Sequence, residues 1–220
     1  MTRAVLFDVD GTLVDSNDLH TAAWQQAFCH FGINLPYARI RAQIGKGGDN
    51  LIPTLVPREV ADRLQKEIEA FRSDLFRRAY LEKAQPFPGV CELLRLLRDD
   101  GRKIVLATSA KQAELDFHLE RIGCSDLVDA TTSKDDVEHS KPSPDIFEAA
   151  LAKVAPLGAG ETLVVGDTPW DVKAAARIGV RTVAVRCGGF ADRELEQAGA
   201  AAIYDGPKEL IQRYPQWLAA

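Results

Sequence analysis

The stretch Arg3-Ala4-Val5-Leu6-Phe7-Asp8-Val9-Asp10-Gly11-Thr12-Leu13-Val14-Asp15-Ser16 decides how the rest of the chain is read. Four apolar residues, Ala4 to Phe7, run into two carboxylates one residue apart, then a glycine and a threonine. Strand side chains alternate, so Asp8 and Asp10 lean to the same side of the strand's end. Each carboxylate raises the cost of ionising the other, and such a pair usually holds a metal or shares a proton. Taken alone, Asp-x-Asp also describes a strand that stops at a polar loop. A calcium loop of the EF-hand kind fits less well, because its glycine follows a third ligand position and its loop opens from a helix.

Composition narrows the choice. The chain has 220 residues, 46% of them hydrophobic, enough to bury roughly 70 to 75% of its unfolded surface in one large or two small cores. Its 27 basic and 32 acidic residues give a net charge of -5 with no long block of one sign. Binding to a phosphate backbone normally leaves a basic footprint, so nucleic acid is not expected as a partner. Cys29, Cys91, Cys124 and Cys187 lie far apart, outside any metal-binding spacing, and are expected to be reduced thiols. No apolar run resembles a signal peptide or approaches a membrane span, so a soluble cytoplasmic protein without membrane partners is expected.

After Ser16 the periodicity changes to that of a helix. Leu19, Ala22, Ala23, Ala27, Phe28 and Phe31 recur every three to four residues, with Asn17 or Asp18 as caps and Gly32 as the stop. His20 and Trp24 share a face of it, a spacing that ordinary packing also explains. A short helix from Pro36 leads to Gly45-Lys46-Gly47-Gly48-Asp49, where three glycines around a lysine let the backbone approach a ligand closely. Residues 57–83 read as a long helical region with the stripe Ala61, Leu64, Ile68, Phe71 and Leu75. Residues 17–84 thus form a helical unit inserted after the first strand, closed by Pro86 and Pro88, within a core made of 1–16 and 85–220.

From Gly89 onward helix and strand alternate. Strands are expected at 103–107, 127–132, 162–167, 181–185 and 201–204, with helices at 90–100, 111–122, 144–154 and from Pro169 through Ile178. That order predicts an α/β fold, a doubly wound, Rossmann-like parallel sheet with helices on both faces. Ligands of such sheets bind beyond the carboxyl ends of the strands. Asp8, Asp10, Thr108, Ser109 and Asp167 all fall at those ends, with Asp171 a turn further on. Converging carboxylates are what a hard divalent cation such as magnesium takes, while Lys141 adds a compact positive charge and Thr108 a hydroxyl donor.

Four segments, Phe7–Leu13, the apolar strand ending in Thr108, Ser140–Phe147 and Gly166–Asp171, together resemble the four ordered motifs of the haloacid dehalogenase superfamily. The helical insertion is similar to the cap of its phosphoglycolate phosphatase and β-phosphoglucomutase branch. The resemblance implies that Asp8 is a nucleophile forming an aspartyl phosphate and that Asp10 is the general acid and base. It implies magnesium bound by Asp8, the backbone carbonyl of Asp10 and Asp167. Thr108 would then contact phosphoryl oxygens, Lys141 would offset the charge of Asp8 and the phosphate, and Asp171 would hold the metal's water shell or orient Lys141.

The second aspartate, absent from the dehalogenases of the superfamily, favours phosphoryl transfer. Ser109, Lys111, His20 and Lys46 are candidate substrate contacts, and a lysine such as Lys46 facing the phosphate suits a small substrate with a second negative charge. The expected activity is hydrolysis of a small phosphorylated metabolite. A phosphosugar mutase is the alternative within the same chemistry, and a regulatory protein without turnover is the alternative outside it.

Overall fold

The computed structural model describes residues 1–219. Six parallel strands form the main sheet in the order β5-β4-β1-β6-β7-β8: β5 (Ala130–Thr132), β4 (Lys103–Ala107), β1 (Ala4–Phe7), β6 (Thr162–Gly166), β7 (Arg181–Val185) and β8 (Ala202–Tyr204). Because strand side chains alternate, Val5, Phe7, Ile104, Leu106, Leu163 and Val165 feed one apolar core, while Ala4, Leu6, Val105, Ala107 and Val164 feed another on the opposite face. Helix α5 (Val90–Asp99) covers the first face through Leu93, Leu94 and Leu97. Helices α7 (Asp145–Ala152) and α8 (Pro169–Ala176) cover the second through Phe147, Ala174 and Ala175. A sheet covered on both sides is the expected doubly wound, Rossmann-like α/β fold.

The position of β1 fixes where function can sit. Phe7 is in register with Leu106 on one neighbour and Val165 on the other. One residue further, Asp8 therefore lies between the ends of β4 and β6, just short of Thr108 and Asp167. The chain runs from β1 to one side of the sheet through β4 and later returns to its other side through β6, which makes this the topological switch point.

Between Asp15 and Gln85 stand four helices: α1 (Asn17–His30), α2 (Tyr37–Arg41), α3 (Gly48–Leu55) and α4 (Arg58–Ala79). They bury a core of their own, in which Trp24, Phe28, Ile40, Leu51, Ile52 and Ile68 meet. The chain enters and leaves this segment through a two-stranded antiparallel ribbon, β2 (Val14–Asp15) against β3 (Gln85–Pro86). No helix among the described residues is long and apolar enough to cross a membrane.

Several local expectations are corrected. The cap position of α1 is Ser16, not Asn17 or Asp18, and no side chain caps it: the Ser16 hydroxyl donates to Asp10 and the Asn17 amide to Asp167 instead. Cys91 and Cys124 are not free thiols but a disulfide, because the first turn of α5 lies beside the second residue past the end of α6 (Gln112–Ile122), with Cα atoms 5.9 Å apart. Cys29 and Cys187 are free. The strand expected at 127–132 is confined to β5, since Ser125–Leu127 is a 3-10 turn. Three helices were not expected: α3, α9 (Asp192–Ala198) and α10 (Pro207–Gln212). The apolar stripe of α4 includes fully buried Phe76, whereas Leu75 is only partly buried.

Candidate active site

The ends of β1, β4 and β6 bring the acidic residues together as the strand register dictates. Asp8, Asp167 and Asp171 are buried, and one carboxylate oxygen from each lies within 4.8 Å of the others. Lys141, on the loop before α7 and 1% exposed, reaches into this cluster: its ammonium contacts Asp8 Oδ1 and lies 2.6 Å from Asp171 Oδ1. Asp171 is fixed from behind, its other oxygen accepting from the Thr168 backbone N–H at 3.0 Å and the Thr168 hydroxyl at 2.6 Å in the capping box of α8. The Thr12 hydroxyl bridges Asp8 Oδ2 at 3.2 Å and Asp167 Oδ1 at 3.1 Å, and the Asn17 amide donates to Asp167 Oδ2 at 2.7 Å.

Electrostatics follow from that crowding. Burial pushes the Asp8 carboxyl up to about 7 even though Lys141 pulls it down, and Asp171 and Asp10 add to the rise. Asp167 is driven well above the usual carboxylate range by burial and by the charges of Asp8 and Asp171. Burial works against the charge of Lys141, but Asp171 and Asp8 outweigh it and hold the ammonium above the ordinary lysine range. Three buried carboxylates thus share one lysine. An all-carboxylate oxygen donor set carrying excess negative charge fits a hard divalent cation.

Asp10 is held differently. Its Oδ1 accepts from the Ser16 hydroxyl at 2.6 Å and contacts His20 Nε2 at 2.9 Å, with His118 Nε2 at 3.6 Å, while Oδ2 accepts from the Thr108 hydroxyl at 3.2 Å. Burial opposes its charge, but the two imidazoles and their contacts outweigh burial and hold the carboxyl well below its usual range. The Arg72 guanidinium contacts His20 Nδ1. Because a guanidinium can only donate, Nδ1 is the acceptor and Nε2 carries the proton that faces Asp10. His20 is stacked on Phe76 with ring centroids 4.0 Å apart, so it both packs and reaches the site.

The helical segment closes over these residues. The Asn50 amide donates to the Ser140 carbonyl at 2.8 Å, and the Ser140 backbone N–H donates to Asp49 at 2.9 Å. A Cβ on Gly47 would come within 2.0 Å of the Ser140 hydroxyl oxygen, so only glycine allows this approach. The cleft left between the two parts is lined by Asp8, Asp10, His20, Lys46, Arg72 and Ser109 among others.

Residues 2–179 match the model of the haloacid dehalogenase-like hydrolases. The chain belongs to the haloacid dehalogenase-like hydrolase family. It is 32% identical over 213 residues to Protein SUPPRESSOR OF QUENCHING 1, chloroplastic, of Arabidopsis thaliana, covering 92% of this chain but only 19% of that protein's length. It is 31% identical over 222 residues to a phosphoglycolate phosphatase of Pseudomonas syringae pv. tomato, covering 96% of this chain and 79% of that one. The solved structure of a hydrolase from Pseudomonas syringae superposes with a TM-score of 0.89 at 31% identity, over 96% of this chain and 97% of the other.

Of the residues marked from the sequence of this hydrolase-family chain, Asp8, Asp10, Thr108, Lys141, Asp167, Asp171 and His20 stand in direct contact with one another or with the cluster. Ser109 lines the cleft with its hydroxyl unpartnered. Lys46 also lines it, but its ammonium donates to Gln43 at 2.7 Å and Thr54 at 3.3 Å and lies 4.0 Å above the Trp170 ring. Lys111 is exposed at the N-terminal end of α6. Sequence reading did not single out Thr12, Asn17, Arg72, Glu114 or His118. The spacing Ile68, Arg72, Phe76 was the available signal for one of these, an arginine inside an apolar stripe, and Glu114 and His118 repeat it beside Leu115 and Ile122 on α6.

Proposed function

We propose that the protein is a magnesium-dependent phosphatase of small phosphorylated metabolites, of phosphoglycolate or sugar phosphate type, that works through an aspartyl phosphate on Asp8. The reading treats 17–84 as a cap over a core of 1–16 and 85–220. The observation that carries it is the unequal treatment of two neighbouring carboxylates: Asp8 packs against Lys141 and Asp171, while Asp10 is turned to Ser16, His20 and Thr108. One is positioned to attack and the other to move a proton.

Asp8 would attack phosphorus while Lys141 offsets the charge that gathers on the carboxylate and the phosphoryl oxygens. Asp10, kept ionised by its contacts, takes the proton of the attacking water in the second half of the reaction. In the first half Asp10 enters protonated and gives that proton to the leaving oxygen, and the water of the second half restores it; the His20 Nε2–H and the Ser16 hydroxyl hold the carboxyl in place for both transfers. Thr108 orients Asp10 and, together with the free Ser109 hydroxyl, borders the phosphoryl site. Magnesium would be held by Asp8, Asp167 and the backbone carbonyl of Asp10, and when bound it supplies charge neutralisation that lets one anion approach another. The closed helical segment excludes bulk water from the exchange.

Hydrolysis of a chromogenic phosphate ester with magnesium and with chelator, on the wild type and Asp8→Asn, tests the reading. Activity is expected only in the wild type with magnesium. Turnover that survives chelation or the substitution overturns it. The mutase alternative shares these residues, and the ratio of phosphate released to phosphoryl transferred onto a sugar phosphate separates the two.

A further inference from the structure

The cleft beside the two aspartates continues into a second lobe between α4, α6 and the Gly47–Asp49 turn. The lobes share Trp24, Gly47, Gly48, Arg72, Ser109 and Ala110, so a phosphoryl group at Asp8 leaves the rest of its molecule to the second lobe. That lobe has spare hydrogen-bond acceptors. Asp49 uses Oδ2 on the Ser140 backbone, and its Oδ1 is buried without a partner. Glu114, 6% exposed, faces Arg72 through Oε1 at 3.6 Å, and its Oε2 has none. Glu69 accepts from Gln65 at 3.1 Å, and burial raises its carboxyl above the usual range.

The cations around it are engaged except for Arg72 Nε, which has no partner, and Lys111. Arg72 serves Glu114 and His20, and Lys134 serves Asp49 at 3.7 Å and the Glu138 carbonyl at 2.8 Å. Lys46 is spent on Gln43, Thr54 and Trp170, while Lys111 stands exposed at the rim. Independently of the acids, Ser140, 1% exposed, and Ser109 line the same lobe, and the buried hydroxyl of each has no partner.

We propose that this lobe takes a hydroxyl-rich leaving group, so that the substrate is a polyol or sugar phosphate and not a carboxylate-bearing ester such as phosphoglycolate. The proposal rests on the phosphatase reading and chooses between its two substrate types. A ligand hydroxyl donates to Asp49 Oδ1 or Glu114 Oε2 and satisfies a buried acceptor. A ligand carboxylate meets three acids and has only Arg72 Nε and the exposed Lys111 to answer it, an arrangement that disfavours it against a hydroxyl.

The test compares kcat/KM for glycerol phosphate and ribose phosphate with that for phosphoglycolate and phosphoglycerate, alongside a chromogenic ester. The better polyol or sugar ester is expected to exceed phosphoglycolate by at least about tenfold, the kind of margin a hydrogen-bonding site holds over a ligand that leaves its groups unpaired. Glu69→Gln and, separately, Glu114→Gln are expected to shrink that ratio by about threefold or more, because each removes one repelling charge. Glu69 is only half-buried, so its variant remains informative if loss of Glu114 disturbs folding. Equal or better turnover of phosphoglycolate overturns the proposal and leaves the phosphatase reading standing. If no ester is turned over, the phosphatase reading falls, and calorimetry on Asp8→Asn decides the proposal: tighter binding of the polyol or sugar ester upholds it, and tighter binding of phosphoglycolate, or no binding of either, overturns it.

Discussion

Replacing Lys141 with methionine isolates the charge that holds the acidic cluster together. Methionine keeps an unbranched stem, so packing changes little while the ammonium, 5.0 Å from the centre of the Phe147 ring, is lost. Lys141 is 1% exposed and touches both Asp8 and Asp171. Removing one partner of a buried ion pair costs about 3 to 5 kcal/mol, since the remaining charge is left uncompensated.

The loss must depend on pH, and its sign follows from the carboxyls. Asp8 stands at about 7 and Asp167 well above its ordinary value, both already restrained by Lys141, so its removal pushes them higher. An acid whose folded pKa is raised contributes stability below its unfolded pKa and loses it as pH rises through the folded one. The penalty should therefore be small at about pH 5, where the carboxyls are protonated in both proteins, and grow as pH climbs through about 7 toward about 9. Urea melts in chelator read it directly: with a slope of roughly 2.5 to 3 kcal/mol per molar for a chain of this size, the midpoint at the higher pH should fall by about 1 to 2 M. A fall under about 0.3 M there, or a penalty that grows toward acid, would refute the reasoning.

Two smaller changes test the frame around the cluster. Thr12→Val preserves shape but removes the donor shared by Asp8 and Asp167, and should cost about 1 to 3 kcal/mol in chelator, less with magnesium present, as melting in the two buffers would show. Gly47→Ala places a Cβ within 2.0 Å of the Ser140 hydroxyl oxygen and should lift the loop off the core. We expect kcat to fall by about tenfold while the melting temperature moves by only a few degrees, since closure and not the core is disturbed.

Much of this was legible in the sequence, for reasons that can be located. The short apolar run before Asp8 could only be a buried strand, and alternating helices and strands then put Thr108, Lys141 and Asp167 around the same sheet edge. What escaped reading depended on partners far along the chain. Arg72 looks like one more polar residue of a long helix until α1 sets His20 against it and α6 sets Glu114 beside it. Cys91 and Cys124 stand 33 residues apart, and only the packing of α5 beside the end of α6 makes them neighbours. Helix α3 begins in a glycine-rich loop and contains Pro53, so local propensity argued against it and tertiary burial of Leu51 and Ile52 prevailed.

The central claim is that Asp8 carries the phosphoryl group during turnover. Rapid acid quenching of the wild-type protein with magnesium and a turned-over phosphate ester, followed by peptide mass spectrometry, tests it most directly. A phosphoryl adduct on the peptide that contains Asp8, absent from Asp8→Asn, is the predicted result. Undiminished turnover by Asp8→Asn, or an adduct on any other side chain, would contradict it.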